Sequence, residues 1–446
     1  MINGVSGVFF VYGKGEMENS KKTVNVTVPG SKSITNRALL LAAMSEGTSV
    51  LRGCMTSDDA HVFLECIRTL GFSAQEQIPH TDSIVKNSDI TIRGCGGKIP
   101  VKEAELYVGS AGTAARFLVA MLALSDGTYL VRSSEQMKKR PMQPLIEALR
   151  NAGAEVECTE EEGHFPLRII GAEKCGRETK GELRIRVNID QSSQFLSALL
   201  IAAGTRKEDT VIEVTGSHGL SYVDMTIQMM HSFGVEAGLT TDEDDGSGSG
   251  IRIYTIKGGK GYRGLEYGIE PDMSAAAYFY AAAALSGGSV AVNGVTEHML
   301  QGDTAFLDVL KKMGDGLHGG FTVDMSAFSD QALTLAAIAA YADAPITITG
   351  IGHIRLQECD RIRAICENLG RMGIRVTERE DGVTIEPGTA HGAEIETYDD
   401  HRVAMSFALC GLRTDGIRIG NKECCRKTFA EYFEVLEEVK NEFAKR

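Results

Sequence analysis

Residues 29–44, PGSKSITNRALLLAAM, place a glycine turn, a lysine and two serines directly before an apolar run of helical length. Ser33 stands where the helix should begin, and there the backbone N–H groups and the helix dipole favour an anion. Lys32 adds a point charge, and Arg37, one turn further on, can bind a carboxylate or phosphate through two parallel hydrogen bonds. The segment indicates an anion site, although a solvated Lys and Arg beside an ordinary serine cap would give the same pattern. The Walker spacing of a nucleotide P-loop fails, because Ser31 replaces its second glycine.

Similar polar groups stand at the starts of five further apolar runs. These starts read GSAGTAAR, QSSQ, PDMS, SDQ and DDHR, near residues 112, 193, 273, 330 and 400. Capping explains Ser and Asp there, but it does not explain Arg116, Gln194 and Arg402 in the following turn. If the six helices are equivalent, their N-termini converge on a polar ligand. Three basic segments contribute to that site or are surface charge runs: KKRPM at 138–142, RLQECDRIRAI at 355–365 and CCRKTF at 424–429.

The elements that must position these groups follow one repeated pattern. Short strands of related sequence begin near residues 47, 127, 209, 287, 344 and 416, at spacings longer than the ~20–50 residues of solenoid repeats. Each is accompanied by a helix without a polar face, which predicts burial. These helices span about 33–46, 112–124, 193–203, 273–285, 330–341 and 400–411. Most units add an amphipathic helix that ends at glycine, so the pattern predicts an α/β fold of six small units.

We expect these units to form two similar domains of three units each. Their bounds are placed at 30–268 and 269–446. Residues 1–29 form an N-terminal extension and a strand that joins the C-terminal domain. The polar, glycine-rich segment 242–250 is either a linker or a hairpin loop of the third unit.

The composition argues against several classes of function. A net charge of −14 and the absence of Trp argue against a nucleic-acid partner. The longest apolar runs, such as 195–203 and 332–341, are shorter than the ~20 residues of a membrane span. Ten cysteines occur without a CxxC pair or a zinc-like arrangement with histidine. We therefore expect no metal site, and reduced thiols in a cytoplasmic protein.

Eight segments together carry a resemblance to a known family: PGSKSITNRALLLAA, GSAGTAARF, KRPM, SSQFLSALL, SDQALTLAA, QECDRI, YDDHRVAM and RKTFAEYF. From about residue 22 to the C-terminus, the chain resembles the EPSP synthases, the 3-phosphoshikimate 1-carboxyvinyltransferases of the shikimate pathway. The resemblance implies an inside-out α/β barrel fold of two domains, each of three βαβαββ units with buried parallel helices. It also implies an active site in the cleft between the domains.

The resemblance further implies a reaction. An EPSP synthase transfers the enolpyruvyl group of phosphoenolpyruvate to the 5-hydroxyl of shikimate 3-phosphate, through a tetrahedral intermediate, and releases phosphate. This step leads toward chorismate and the aromatic amino acids, and it requires no metal or organic cofactor. We expect these two small molecules as partners of a monomeric enzyme, with neither nucleic acid nor membrane. The substrates carry roughly six negative charges, which a closed site must neutralise.

Roles of individual residues are likewise implied by the resemblance. Asp330 would accept the proton of the 5-hydroxyl, and Glu358 and Lys32 are the candidates for proton transfer at the methylene carbon. The residues implied to bind shikimate 3-phosphate are Lys32, Ser33, Arg37, Ser192, Ser193, Gln194, Asp330 and Gln357. Those implied to bind phosphoenolpyruvate are Lys32, Gly112, Arg140, Gln194, Arg361, Arg402 and Lys427.

The chain also departs from the family pattern, which leaves alternatives open. Gln357 stands where the family usually has Lys, and Ser110 and His353 stand where Asn is frequent. One alternative is the enolpyruvyl transferase that acts on UDP-N-acetylglucosamine, but its lysine–asparagine pair and catalytic-loop cysteine are not found here. Another is a non-catalytic relative that binds phosphorylated ligands, as Gln357 suggests. The proton-transfer set Asp330, Glu358 and Lys32 argues against mere binding.

Overall fold

The computed structural model describes residues 23–176, 181–241 and 251–445. The predicted extension at 1–20 and the segment 242–250 lie outside these residues. Contacts between Cα atoms divide the chain into two compact units. The described residues of 32–79 and 87–269 form the N-terminal unit, and those of 23–31, 80–86 and 270–445 form the C-terminal unit.

Helices and strands alternate along most of the chain, as the repeat pattern predicts. The strands are β1 (Thr23–Val26), β2 (Glu46–Met55), β3 (Ser73–Gln77), β4 (Asn87–Cys95), β5 (Glu103–Tyr107), β6 (Thr128–Arg132), β7 (Glu155–Cys158), β8 (Leu167–Ile170), β9 (Leu183–Asn188), β10 (Thr210–Thr215), β11 (Ala237–Thr241), β12 (Arg252–Ile256), β13 (Glu266–Gly268), β14 (Ser289–Val292), β15 (Phe321–Asp324), β16 (Ile346–Thr349), β17 (Val376–Arg379), β18 (Gly382–Ile385), β19 (Glu394–Ile395) and β20 (Arg418–Ile419). The α-helices are α1 (Lys32–Met44), α2 (Asp58–Thr69), α3 (Gly112–Ala123), α4 (Glu135–Lys138), α5 (Gln143–Asn151), α6 (Gln194–Ala203), α7 (Leu220–Ser232), α8 (Met273–Ser286), α9 (Phe306–Met313), α10 (Ala332–Ala339), α11 (Arg361–Arg371), α12 (His401–Ala408) and α13 (Tyr432–Ala444). Single 3₁₀ turns occur at Gly302–Ala305, Ser329–Gln331, Gly352–Leu356, Leu409–Leu412 and Glu423–Lys427.

The N-terminal unit contains three four-stranded sheets with the same strand order. The orders are β13-β2-β4-β3, β5-β6-β8-β7 and β9-β10-β12-β11. In each sheet the first two strands are parallel and the other pairs are antiparallel. The first sheet differs in one respect, because its leading strand β13 comes from the far end of the unit and pairs Glu266 with Val50.

The described part of the C-terminal unit contains one four-stranded sheet of this kind and two shorter, two-stranded sheets. Its sheet β15-β16-β18-β17 has the same order. The described residues of the other two repeats hold only the parallel pairs β1–β14 and β19–β20. Residues 314–320, between α9 and β15, contain no strand, and after β20 the chain passes through the turn Glu423–Lys427 into α13. The α/β fold with six repeats is thus confirmed, with two repeats reduced to a βαβ core.

The apolar helices form the interior of each unit. All residues of α3 and α10 are buried, as are all of α8 except its last. In the N-terminal unit α3 packs against α1 and α6, and in the C-terminal unit α10 packs against α8 and α12. The many alanines allow such close packing. Among the described residues, none of the helices has the length and hydropathy to cross a lipid bilayer.

Candidate active site

In the N-terminal unit, Arg37 connects α1 to two neighbouring helices. Its Nε donates to Thr226 Oγ1 at 2.7 Å, and its Nη2 donates to Tyr222 O at 3.1 Å and to Ser197 Oγ at 3.3 Å. Nη1 donates to the carbonyl of Ser33 at 3.0 Å. Only 1% of Arg37 is exposed, and burial lowers the pKa of its guanidinium to about 10. It therefore stays charged at neutral pH, and no carboxylate of the described residues forms an ion pair with it.

Arg116 joins the starts of α3 and α6. Its Nη1 donates to Gln194 Oε1 at 2.9 Å and to Gly112 O at 3.2 Å, and its Nη2 donates to Pro141 O at 3.2 Å. The guanidinium also lies 5.3 Å from the centre of the Phe195 ring. Arg116 stands out in the sequence without an evident role, and these contacts show that it orients Gln194.

Gly112 begins α3 and lies against two guanidinium groups. A Cβ atom at this position would lie 2.4 Å from Arg140 Nη1 and 2.8 Å from Arg116 Nη1. Both arginines are buried. A side chain at position 112 would have to displace the end of the Arg140 side chain, so Gly112 and Arg140 do lie together.

Lys32 and the serines before α6 complete the predicted residues of the N-terminal unit. Lys32 Nζ lies 2.5 Å from Asp59 Oδ2, and 19% and 6% of the two side chains are exposed. Ser192 Oγ accepts the N–H of Gln194 at 3.3 Å, while Ser193 is buried directly before α6. Asp59 was not predicted as a site residue, because an acidic residue in the first turn of α2 is already explained by the helix dipole.

In the C-terminal unit, Arg361 is surrounded by three carboxylates. It donates to Asp400 Oδ2 at 2.8 Å, to Glu358 Oε2 at 2.7 Å and to Asp330 Oδ1 at 3.2 Å. Only 2% of its side chain is exposed. Burial alone would lower the pKa of the Arg361 guanidinium, but the three carboxylates outweigh burial and raise that pKa above its ordinary value. Arg361 is therefore a permanent cation.

Two further cations extend this group. Arg402 Nη2 donates to Asp330 Oδ2 at 2.8 Å, and Lys427 Nζ donates to Glu358 Oε1 at 3.1 Å. We call Asp330, Glu358, Arg361, Asp400, Arg402 and Lys427 the Arg361 cluster. The structure thus brings together Asp330, Glu358, Arg361, Arg402 and Lys427, and the predicted residue Gln357, half-buried, directly precedes Glu358 in the chain.

Helix caps hold the Arg361 cluster in place. Asp360 caps α11 by accepting the N–H of Arg363, so Arg361 is the first helical residue. Asp400, fully buried, caps α12 by accepting the N–H of Arg402 at 2.8 Å. The two residues before it, Tyr398 and Asp399, both have φ of 54°, which is strained for side chains other than glycine. This left-handed turn leads directly into Asp400, which contacts Arg361 and caps α12.

Comparison with known proteins bears on the whole chain. The sequence model of the EPSP synthase (3-phosphoshikimate 1-carboxyvinyltransferase) family matches residues 18–436. A 3-phosphoshikimate 1-carboxyvinyltransferase of Trichormus variabilis is 42% identical over 430 residues, which are 93% of this chain and 96% of that protein. A 3-phosphoshikimate 1-carboxyvinyltransferase 2 of Halalkalibacterium halodurans is 39% identical, over 94% of this chain and 93% of the relative. The chain belongs to the EPSP synthase family.

A solved EPSP synthase agrees with this assignment. The structure of the Acinetobacter baumannii EPSP synthase superposes with a TM-score of 0.73 at 27% identity, covering 95% of this chain and 96% of that one. The EPSP synthase family assignment made from the eight segments is therefore confirmed, and so is the fold class that the resemblance implied.

This EPSP synthase family member also buries the carboxylate of Asp303, which the sequence does not mark as a site residue. Asp303 Oδ1 accepts hydrogen bonds from Gln331 Nε2 at 2.9 Å and from Ser274 Oγ at 3.2 Å. Burial, followed by the nearby charge of Asp330, raises the pKa of Asp303 to about 6. In sequence it lies outside the six helix starts, so nothing marked it as a site residue.

The raised pKa of Asp303 predicts a pH-dependent stability. Its ordinary value in an unfolded chain is about 3.9, so between about pH 4 and pH 6 the folded state holds more protons, and stability falls as pH rises. The loss, on the order of 2–3 kcal/mol, persists above pH 6. Replacing Asp303 with Asn removes this titration. Urea unfolding at pH 4 and pH 8 should therefore show the variant gaining stability relative to wild type at pH 8. An equal difference at both pH values would contradict the assignment.

Proposed function

We propose that the chain transfers the enolpyruvyl group of phosphoenolpyruvate to the 5-hydroxyl of shikimate 3-phosphate, giving 5-enolpyruvylshikimate 3-phosphate and phosphate. The Arg361 cluster is the observation that carries this proposal, because it holds two candidate proton-transfer carboxylates, Asp330 and Glu358, on three cations. In a protein that only binds phosphorylated ligands, carboxylates beside the cations would weaken the attraction for the ligand and would have no proton to transfer. The names of the curated relatives support the same reaction.

The charge balance of the Arg361 cluster explains how it would serve the reaction. Three cations face three carboxylates, so the cluster is neutral before substrate binds. An arriving anion makes the cluster negative and raises the proton affinity of its carboxylates. A protonated Glu358 is then an acid ready to donate to the methylene carbon of phosphoenolpyruvate.

The proposed reaction has two steps, an addition and an elimination. In the addition, the 5-oxygen bonds to the enol carbon, its proton passes to Asp330, and the methylene carbon takes a proton from Glu358 or Lys32. In the elimination, the new methyl group returns a proton and the bond from carbon to the phosphate oxygen breaks. Phosphate leaves, and the carboxyvinyl ether remains on shikimate 3-phosphate. Neither step requires a metal or an organic cofactor.

In this proposal each unit supplies part of the binding groups. Ser33, Arg37, Ser192, Ser193 and Gln194 of the N-terminal unit bind shikimate 3-phosphate, assisted by Lys32. The unpaired charge of buried Arg37 supports an anion there, because an uncompensated buried cation is costly without one. The remaining assignments place Asp330 and Gln357 on shikimate 3-phosphate. The residues assigned to phosphoenolpyruvate are Gly112, Arg140, Arg361, Arg402 and Lys427, with Lys32 and Gln194 shared between the two substrates.

The biological setting is also part of the proposal. We assign the chain to the cytoplasm, where its ten free thiols would stay reduced. We further propose that it works as a monomer, with residues 30–268 and 269–446 as its two domains, except that residues 80–86 lie with the C-terminal unit.

Replacing Gly112 with Ala should weaken phosphoenolpyruvate binding more than shikimate 3-phosphate binding. The added methyl must displace Arg140, and overpacking of this kind costs about 1–3 kcal/mol. We expect the KM for phosphoenolpyruvate to rise roughly 10-fold. Gly370→Ala is the control, because this helical glycine has open space around its Cβ position. An unchanged KM in the Gly112 variant would contradict the placement of Arg140 in the binding site.

Phosphate release tests the function and separates it from the alternatives. The purified chain is given phosphoenolpyruvate alone, with shikimate 3-phosphate, or with UDP-N-acetylglucosamine. We expect release only with shikimate 3-phosphate. Release with the nucleotide sugar would identify the other enolpyruvyl transferase. Binding of shikimate 3-phosphate without any release would identify a non-catalytic relative.

A further inference from the structure

Asp303 connects the starts of helices α8 and α10 by hydrogen bonds. It lies in the 3₁₀ turn Gly302–Ala305, and its Oδ1 atom accepts from Ser274, in the first turn of α8, and from Gln331 before α10. Only 3% of Asp303 is exposed, and Gln331 is completely buried. Because Gln331 directly follows Asp330, this hydrogen bond fixes the residue beside the proposed proton acceptor.

The turn that carries Asp303 is itself fixed. The Gln301 side chain accepts the N–H of Met273 at 3.0 Å, and it donates to Pro271 O at 2.9 Å and to Glu270 Oε2 at 3.0 Å. These bonds attach the turn to the segment that leads into α8. Asp303 therefore has little freedom to move away from Asp330.

The charges around Asp330 give this placement a chemical consequence. Two guanidinium groups, Arg361 and Arg402, hold the Asp330 carboxylate. Such neighbours favour the ionised form and make a carboxylate a weak base, whereas proton abstraction is most efficient when the pKa of the base lies near the working pH. A negative charge close to Asp330 offsets this effect. The charged groups that face Asp303 are Asp330, Asp272 and Arg402.

We propose that Asp303 is a positioning residue of the reaction, which fixes Gln331 beside Asp330 and whose negative charge keeps Asp330 able to accept the 5-hydroxyl proton. This inference rests on the proposed function. It assigns a task to a buried acid that accepts hydrogen bonds from the starts of two helices, at Ser274 and Gln331. It also predicts that activity depends on the charge of Asp303 and not only on its hydrogen bonds.

Asp303→Asn separates charge from hydrogen bonding, because the Asn oxygen can accept from the same two donors. As the pH is lowered, the wild-type kcat for shikimate 3-phosphate-dependent phosphate release should fall in a step near pH 6, where Asp303 takes up a proton. The variant should lack this step and run roughly 10-fold slower above it, with both KM values within about two-fold of wild type. Well below pH 6 the two enzymes should coincide.

Two further variants test the role of Asp303 by removing its hydrogen-bond donors one at a time. Ser274→Ala removes one hydrogen bond and keeps the charge, so the step should persist at a somewhat higher pH, with kcat above the step close to wild type. Gln331→Met removes the other donor, so Asp303 should take up its proton at higher pH and the step should move upward. This variant tests the proposal even if Asp303→Asn does not fold. Wild-type kcat and the same step in Asp303→Asn, or an unmoved step in Gln331→Met, would overturn the inference. Absence of turnover in wild type would instead overturn the proposed function.

Discussion

Replacing Asp330 with Asn is expected to lower kcat by roughly 10²–10⁴-fold, the usual contribution of a general base. An amide cannot take the 5-hydroxyl proton, although its oxygen can still accept from Arg402, which donates to Asp330 at 2.8 Å in the native chain. Both substrates should still bind, since the cations of the Arg361 cluster remain. The KM values should therefore change far less than kcat.

Steady-state phosphate release with each substrate varied in turn measures both quantities. Asp315→Asn is the matched control, because this exposed aspartate makes the same chemical change elsewhere in the same unit. It should leave kcat unaltered. A kcat for Asp330→Asn within about three-fold of wild type would remove Asp330 from the proton transfer.

Replacing Arg361 with Met should damage stability and activity together. Its side chain is 2% exposed and holds three carboxylates, of which Asp400 is fully buried. Breaking a buried ion pair from one side costs about 3–5 kcal/mol, because the remaining charge has no partner. We expect a loss of this size in urea unfolding, and kcat/KM for phosphoenolpyruvate should fall by at least roughly 10²-fold.

Two controls define what the Arg361 change removes. Arg363→Met, on the same helix, breaks an exposed ion pair with Glu367, so stability should change by less than about 1 kcal/mol. Arg361→Lys keeps the charge but loses the planar fork, and it should recover stability better than activity. If Arg361→Met unfolds at the wild-type urea concentration, the carboxylates are not held as described.

Much of the fold could be predicted from the sequence, because its strongest signal is local. A helix without a polar face, such as α3 or α8, has to be buried, and a glycine after an amphipathic helix marks its end. The pairing of β13 with β2 could not be predicted. Three residues carry no useful alternation, and their partner lies more than two hundred positions away.

Some residues of the candidate site could likewise be predicted from the sequence, and others could not. Arg361, Arg402 and Lys427 could be assigned because each lies in a segment that resembles the family. Asp400 and Asp59 were missed because a helix cap or the first turn of a helix already explains an acidic residue there. Their second partners, Arg361 and Lys32, come from elements distant in sequence and become visible only in the folded unit.

This chain joins a carboxyvinyl group to the 5-oxygen of shikimate 3-phosphate. The most direct test follows phosphoenolpyruvate labelled with carbon-13 at its enol carbon by nuclear magnetic resonance, in the presence of shikimate 3-phosphate and the purified chain. We expect the label to move into an enol ether on the 5-oxygen while an equal amount of phosphate is released. Label that stays in phosphoenolpyruvate, or that appears in pyruvate, would contradict it.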